Sequence, residues 1–279
     1  MKKYTLFFWL WMLFWALLLP RSVTAASLTP GGTRPAGMAN AMVAVYDFWA
    51  LCHNQAGMAR IRSPAAAFHA ENRYMIPELS QAAAGYVHPA GEGTMGVTLN
   101  WFGNALYNEG TAGLAYARLF GDKLAAGVML SYRFISIGEG FGSAGTIAAE
   151  IGLICEILPG LRVGAHIDNP GRARIATYEY LDHDERLPSV IRSGLAYQFS
   201  EGLQASLEVE KDIHYPARAR IGVEYAYGER IMLRTGLTTH PMTNSFGFGL
   251  KSGNWQLDLA SSYHYVLGYS PQAGLLYQW

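Results

Sequence analysis

Tyr269-Ser270-Pro271-Gln272-Ala273-Gly274-Leu275-Leu276-Tyr277-Gln278-Trp279 alternates apolar with polar or small side chains and closes on an aromatic. A period of two is the mark of a strand whose two faces meet different surroundings. The pattern repeats upstream. Leu203, Ala205, Leu207 and Val209 alternate with Gln204, Ser206, Glu208 and Glu210. Ala219, Ile221, Val223, Tyr225 and Tyr227 oppose Arg218, Arg220 and Glu224. Trp255, Leu257, Leu259, Tyr263 and Tyr265 oppose Gln256, Asp258 and His264.

From residue 63 onward there are fourteen runs of strand character: 64–74, 79–88, 93–102, 109–120, 124–137, 144–157, 161–168, 188–199, 203–213, 217–227, 230–239, 244–251, 255–267 and 269–279. Most reach the ~9–11 residues that a tilted strand needs to cross a bilayer. Every second connection is tight and rich in turn formers, as at 89–93, 121–123, 159–160, 200–202, 228–229 and 252–254. The others vary, and the longest covers 169–188. Short turns at one end and longer loops at the other are the asymmetry of membrane barrels.

Composition agrees. The chain has 279 residues, 51% hydrophobic and only 15% charged, with 31 Gly and 17 Tyr. A soluble domain carries about 25% charged residues. After residue 26 no apolar run is long enough for a spanning helix, so the outward apolar faces predict strands closed against lipid. The formal net charge of +0 gives no reason to expect a nucleic-acid partner.

Residues 1–26 read as a signal peptide: Lys2 and Lys3, the apolar run 6–19, then Val23-Thr24-Ala25-Ala26 as small residues for cleavage. The expected organisation is a signal peptide (1–26), an N-terminal plug (27–62) and an all-β, 14-stranded antiparallel transmembrane barrel (63–279) in the outer membrane, with outer-membrane lipid as its solvent. Cys52 and Cys155 are expected to be unpaired, since one falls in the N-terminal segment and the other on an apolar strand face.

Alternation places Arg133, Glu150, Glu156, Arg162, His166, Asp168, Arg192, Glu208, Glu210, Arg218, Arg220, Glu224, Arg234, Asp258 and His264 inside the barrel. Charges removed from bulk water need partners, so a network filling the lumen is expected. Its core would be Glu150, Arg162, Arg192, Glu208, Arg218, Arg220, Glu224, Arg234 and Asp258. An apolar channel would need a continuous greasy face, and the inward Phe102, Ile154 and Met232 are too few to make one. Ser262, His264 and Asp258 share the inner face, but two same-face neighbours arise easily by chance, so no enzyme is expected. Neither a cofactor nor a metal is called for. Asp182-His183-Asp184-Glu185 in the long loop reads as solvated acid without recognised ligand spacing.

The N-terminal segment carries Arg34-Pro-Ala-Gly37-Met38-Ala-Asn40-Ala41-Met-Val43-Ala44, then Asp47-Phe-Trp-Ala50-Leu51-Cys-His-Asn54-Gln55-Ala56-Gly57-Met58-Ala59. Over 31–60 this resembles the PorV/PorQ-type outer-membrane proteins, which are related to the FadL-type fatty-acid channels. The family's Asn-Pro-Ala is Asn54-Gln55-Ala56 here. The resemblance implies a 14-stranded barrel with the segment tucked inside and a non-enzymatic accessory or scaffold role in type IX secretion. A secretion translocon or exported cargo would then be the partner. The expected plug residues are Gly37, Asn40, Asp47, Asn54, Ala56 and Gly57. Val43, Tyr46, Phe48, Trp49 and Leu51 would be poorly hidden in a free tail. Glycines 31, 32, 37 and 57 would allow close approach to the wall. The outer loop with Arg172, Tyr178, Tyr180 and Asp182 is the expected partner surface. The alternative reading is a FadL-like channel taking up hydrophobic small molecules, with a fatty-acid-like ligand.

Overall fold

Alternating strands joined by tight turns can satisfy every backbone group without water only by closing on themselves, and they do. The computed structural model describes residues 31–139, 142–178, 183–213 and 215–279, so the signal-peptide reading lies outside the described residues. The strands are β1 (Ala65–Asn72), β2 (Ser80–Ala90), β3 (Gly93–Gly103), β4 (Tyr107–Phe120), β5 (Leu124–Ile137), β6 (Gly142–Leu158), β7 (Leu161–Asp168), β8 (Arg174–Tyr178), β9 (His183–Arg186), β10 (Val190–Gln198), β11 (Leu203–Asp212), β12 (Arg218–Tyr227), β13 (Ile231–Thr238), β14 (Thr243–Ser252), β15 (Trp255–His264) and β16 (Gly268–Gln278). All but β8 and β9 form one closed antiparallel barrel of 14 strands. The strand 269–279 closes it: β16 pairs with β1 from Ala65↔Gln278 to Glu71↔Gln272. Trp279 N donates to Pro64 O at 3.0 Å.

The outer face is apolar all round, with Leu114, Leu130, Ile147, Leu207, Ile221, Leu233 and Leu259 exposed. Aromatic clusters flank this band, a pairing that marks the two interfaces of a membrane barrel. Trp255–Tyr277 (4.5 Å between centroids) and Tyr277–Trp279 (4.8 Å) lie at the tight-turn end. Tyr263–Tyr269 (4.7 Å) and Trp101–Phe134 (5.7 Å) lie at the other. Arg118 is the one basic residue that alternation puts on the apolar face of β4. It reaches the adjacent turn, ion-paired to Glu92 and 5.5 Å above the Phe120 ring. A guanidinium at the interface keeps its hydration, whereas one at mid-strand does not. Leu207→Arg is therefore expected to cost ~2–4 kcal/mol, and Arg118→Leu to be tolerated. The check is the fraction of heat-modifiable barrel on gels; equal loss in both variants would contradict this register.

The segment 169–188, expected to be loop throughout, contains a hairpin in which β8 and β9 pair from Arg174↔Arg186 to Tyr178↔His183. Arg172 is exposed in the left-handed region (φ 49) beside this hairpin. Tyr180 and Asp182 lie outside the described residues. Both cysteines are free: Cys52 is buried and Cys155 half-buried on the outer side of β6.

Candidate functional site

The lumen is occupied by residues 31–62, whose side chains are almost all buried up to Ala59. They form two short helices, α1 (Thr33–Gly37) and α2 (Ala50–His53), and a 3-10 turn over Gln55–Arg60. Two kinds of surface hold them. On the β1–β6 side the wall is made of small residues: Ala65, Ala67, Ala83, Ala115, Ala117 and Ala125, with Val87, Met129 and Ile154. Phe48, Trp49, Leu51 and Met58 pack into the space these alanines leave. The inward apolar surface that Phe102, Ile154 and Met232 could not supply is thus present, carried by alanines and filled by the chain's own segment.

On the β7–β15 side the contacts are polar. Arg34 makes a bidentate pair with Glu224 (2.8 and 2.7 Å) and also binds Asp47 at 2.9 Å. Glu224 accepts from Arg234 at 2.6 Å, and Arg234 binds Asp258 at 2.6 Å. Glu208 Oε2 accepts from the backbone N–H groups of Met42 (3.0 Å) and Val43 (2.9 Å), while Arg220 holds its other oxygen at 2.6 Å. Arg192 and Arg220 share Glu210 at 2.8 and 2.9 Å. The polar contacts extend past β7 onto β6 and β5, where Glu150 accepts from Gln55 (2.9 Å), His166 (3.1 Å) and Arg133 (2.8 Å). Buried carboxylates are each met by a cation or by several donors, as burial requires.

The expected residues fall into place unevenly. Asn54 turns inward: Nδ2 donates to Val43 O (2.6 Å) and Leu153 O (3.1 Å), and Oδ1 caps Ala56 N at 3.2 Å. Asp47 pairs within the segment, with Arg34, rather than with the wall. Asn40 leaves its buried Oδ1 without a partner. Ala56 is buried, its N beside Gly127 of the wall. Gly37 lies against Gly247, where an added Cβ would stand 3.0 Å from that Cα. Gly57 instead serves the segment's own fold, since a Cβ there would meet Val45 O at 2.5 Å. In the wall, Arg162 donates to Gln204 at 2.6 Å and sits 5.5 Å above the Tyr46 ring. Arg218 reaches Glu210 only at 3.5 Å. Ser262 and His264 are not joined, and Asp258 is engaged by Arg234 and Gln256 (2.8 Å). His264 Nδ1 instead accepts from Val266 and Leu267 N at 3.1 and 3.2 Å. No nucleophile–base pair is assembled there.

Sequence reasoning missed Arg34 and Gln55 as anchors, and it missed a girdle of inward glycines. Gly96, Gly127, Gly152, Gly164, Gly222, Gly236, Gly247 and Gly274 all touch the segment where a Cβ would collide with it. Gly127, Gly152, Gly164, Gly222 and Gly236 share a face with inward charges of their own strands, as Gly236 does with Arg234, and that parity was readable.

Two cavities among the described residues lie at opposite ends of the lumen. One of about 1050 Å³ opens at the tight-turn end, lined by Arg34, Tyr46, Arg60, Arg230 and Lys251 among others. The other, about 220 Å³, lies toward the loop end above Ala36, Ala39 and Asn40. No residue lines both.

No family model and no curated protein sequence matches this chain. Its fold is similar to that of solved FadL-type channels. The Pseudomonas putida toluene transporter TodX aligns at TM-score 0.67 and 12% identity, over 91% of this chain and 99% of that one. A deltaS2S3 mutant of TodX, a monoaromatic hydrocarbon channel, aligns at 0.69 and 13% identity over 90% and 99%. A Pseudomonas aeruginosa FadL homologue aligns at 0.64 and 13% identity over 91% and 98%. What the likeness shows is the fold, a closed 14-stranded antiparallel barrel similar to those of these channels. The PorV/PorQ resemblance rests on the motif at 31–60 alone.

Proposed function

We propose that the protein is an outer-membrane channel for small hydrophobic molecules, closed in this state by its N-terminal segment. The observation that carries this is a 14-stranded barrel with residues 31–62 anchored inside it, an architecture that extends over nine-tenths of the chain in similarity to a hydrocarbon channel. With the tight turns on the periplasmic side, the larger cavity faces the periplasm and the hairpin of β8 and β9 faces outward. The segment serves as the plug, held by the ion pair of Arg34 with Glu224 and by the hydrogen bonds that the Met42 and Val43 backbone N–H groups donate to Glu208. The protein transports and does not catalyse.

The test is uptake of radiolabelled toluene at low concentration by a Gram-negative host carrying the chain. Expected is a several-fold faster initial rate than in the empty host, with no change for a polar amino acid. Equal rates would refute the channel. The motif at 31–60 supports a second reading, an accessory role in type IX secretion. Mild-detergent extraction from the native membrane tests it: recovery with a translocon or exported cargo would favour that role, with the 169–188 hairpin as the contact.

A further inference from the structure

The cavity at the loop end is not apolar. Its wall is a shelf of hydroxyls set by strand register. Ser245 of β14 pairs with Ser262 of β15, which pairs with Ser270 of β16, so three serines stand side by side on the inner face. One step further out, Thr238 of β13 pairs with Thr243 of β14, and Thr243 with His264. All line the 220 Å³ cavity.

Among the described residues, most of this polar surface has no partner. Ser270 Oγ is engaged by Tyr74 N at 3.0 Å. The side-chain hydroxyls of Thr238, Thr243, Ser245 and Ser262 take part in no hydrogen bond among the described residues, and neither does Asn40 Oδ1, which is buried. His264 accepts backbone protons on Nδ1, so its neutral ring carries the proton on Nε2 as a donor. The charges at the cavity are neutralised locally: Arg73 by Glu71, Arg220 by Glu208, Arg218 by Glu210. Tyr74, held with φ 57 and edge-on to His264 at 6.0 Å, offers an aromatic face at the rim.

Unsatisfied donors and acceptors, balanced charge and one aromatic platform are what a neutral polyol requires. An apolar solute would leave those hydroxyls unpaired, at a cost. The volume is below the ~300–1,000 Å³ typical of drug-sized ligands, which fits a single ring. We infer that this cavity binds a neutral, polyhydroxylated group the size of one sugar ring, whether a free monosaccharide or the head of a glycosylated amphiphile. The inference is independent of whether the barrel conducts apolar molecules.

The full chain is purified in an amine-oxide detergent, which has no sugar, and saturation-transfer NMR is recorded with the methyl glycosides of glucose, galactose and mannose. At least one should receive saturation from the protein, with Tyr74→Ala lowering its affinity about tenfold and Ser262→Ala at least threefold. Heat-modifiable mobility and unchanged chymotrypsin protection of residues 48–51 confirm that both variants stay folded. Octyl glucoside binding with the free glycoside's affinity identifies a free sugar as the ligand; markedly tighter binding, abolished in Tyr74→Ala, identifies a glycolipid head. No transfer to any glycoside, retained affinity in both variants, or equal binding of octyl tetraoxyethylene ether would each overturn the assignment.

Discussion

Gly236→Val is expected to drive residues 31–62 out of the lumen while leaving the barrel closed. Gly236 sits in the β12–β13–β14 ladder opposite Gly222 and Ser245 and faces inward. An added Cβ would stand 2.6 Å from both Ala39 N and Met38 C, backbone atoms that cannot turn aside. Valine adds two methyls beyond that. Overpacking a core by a methylene or so costs ~1–3 kcal/mol even where side chains can yield, and here nothing yields except the segment as a whole. The strand itself is undisturbed, since valine suits a β backbone. Chymotrypsin should then cut near Phe48 and Trp49, which are 5% and 3% exposed in the intact protein, and planar bilayers should show open-channel current. Wild-type protection with no current would refute the close packing described. Gly164→Val, which would strike Val43 O from β7, should behave alike.

Arg234→Leu is expected to destabilise the barrel by ~3–5 kcal/mol, the usual loss when one partner of a buried pair is removed. The Arg234 side chain is 1% exposed and joins Glu224 to Asp258. Glu224 keeps Arg34, but Asp258 keeps only the amide of Gln256. Most of the penalty should therefore come from one stranded carboxylate. Arg234→Leu combined with Asp258→Asn should recover much of it, read as the guanidinium midpoint of tryptophan fluorescence. Equal midpoints for the single and double variants would show that the penalty lies elsewhere.

Much of this was legible beforehand because a barrel strand is locally encoded. All fourteen runs became strands, and the tight turns gathered at one end, because alternation and turn chemistry need only a few neighbouring residues. The inward charges followed from the same parity. What parity leaves open is which charge meets which. Arg162 found an amide and a tyrosine ring instead of a carboxylate, and Arg34, outside every strand pattern, became the tie between segment and wall. The hairpin in 169–188 escaped because its two strands are too short to show a period.

By itself, then, the sequence determined that residues 63–279 would close into fourteen strands with an apolar outside and a charged inside, since each strand's two faces are written every second residue. Only the tertiary structure decided how that inside is filled. Whether an inward glycine is a gap, a pore or a seat depends on what stands opposite it across the lumen. Gly236 meets Met38 from nearly two hundred residues away, Gly152 meets Asn54, and the serines of β14, β15 and β16 line the cavity at the loop end. Those distances are set by closure of the barrel, which no local pattern contains.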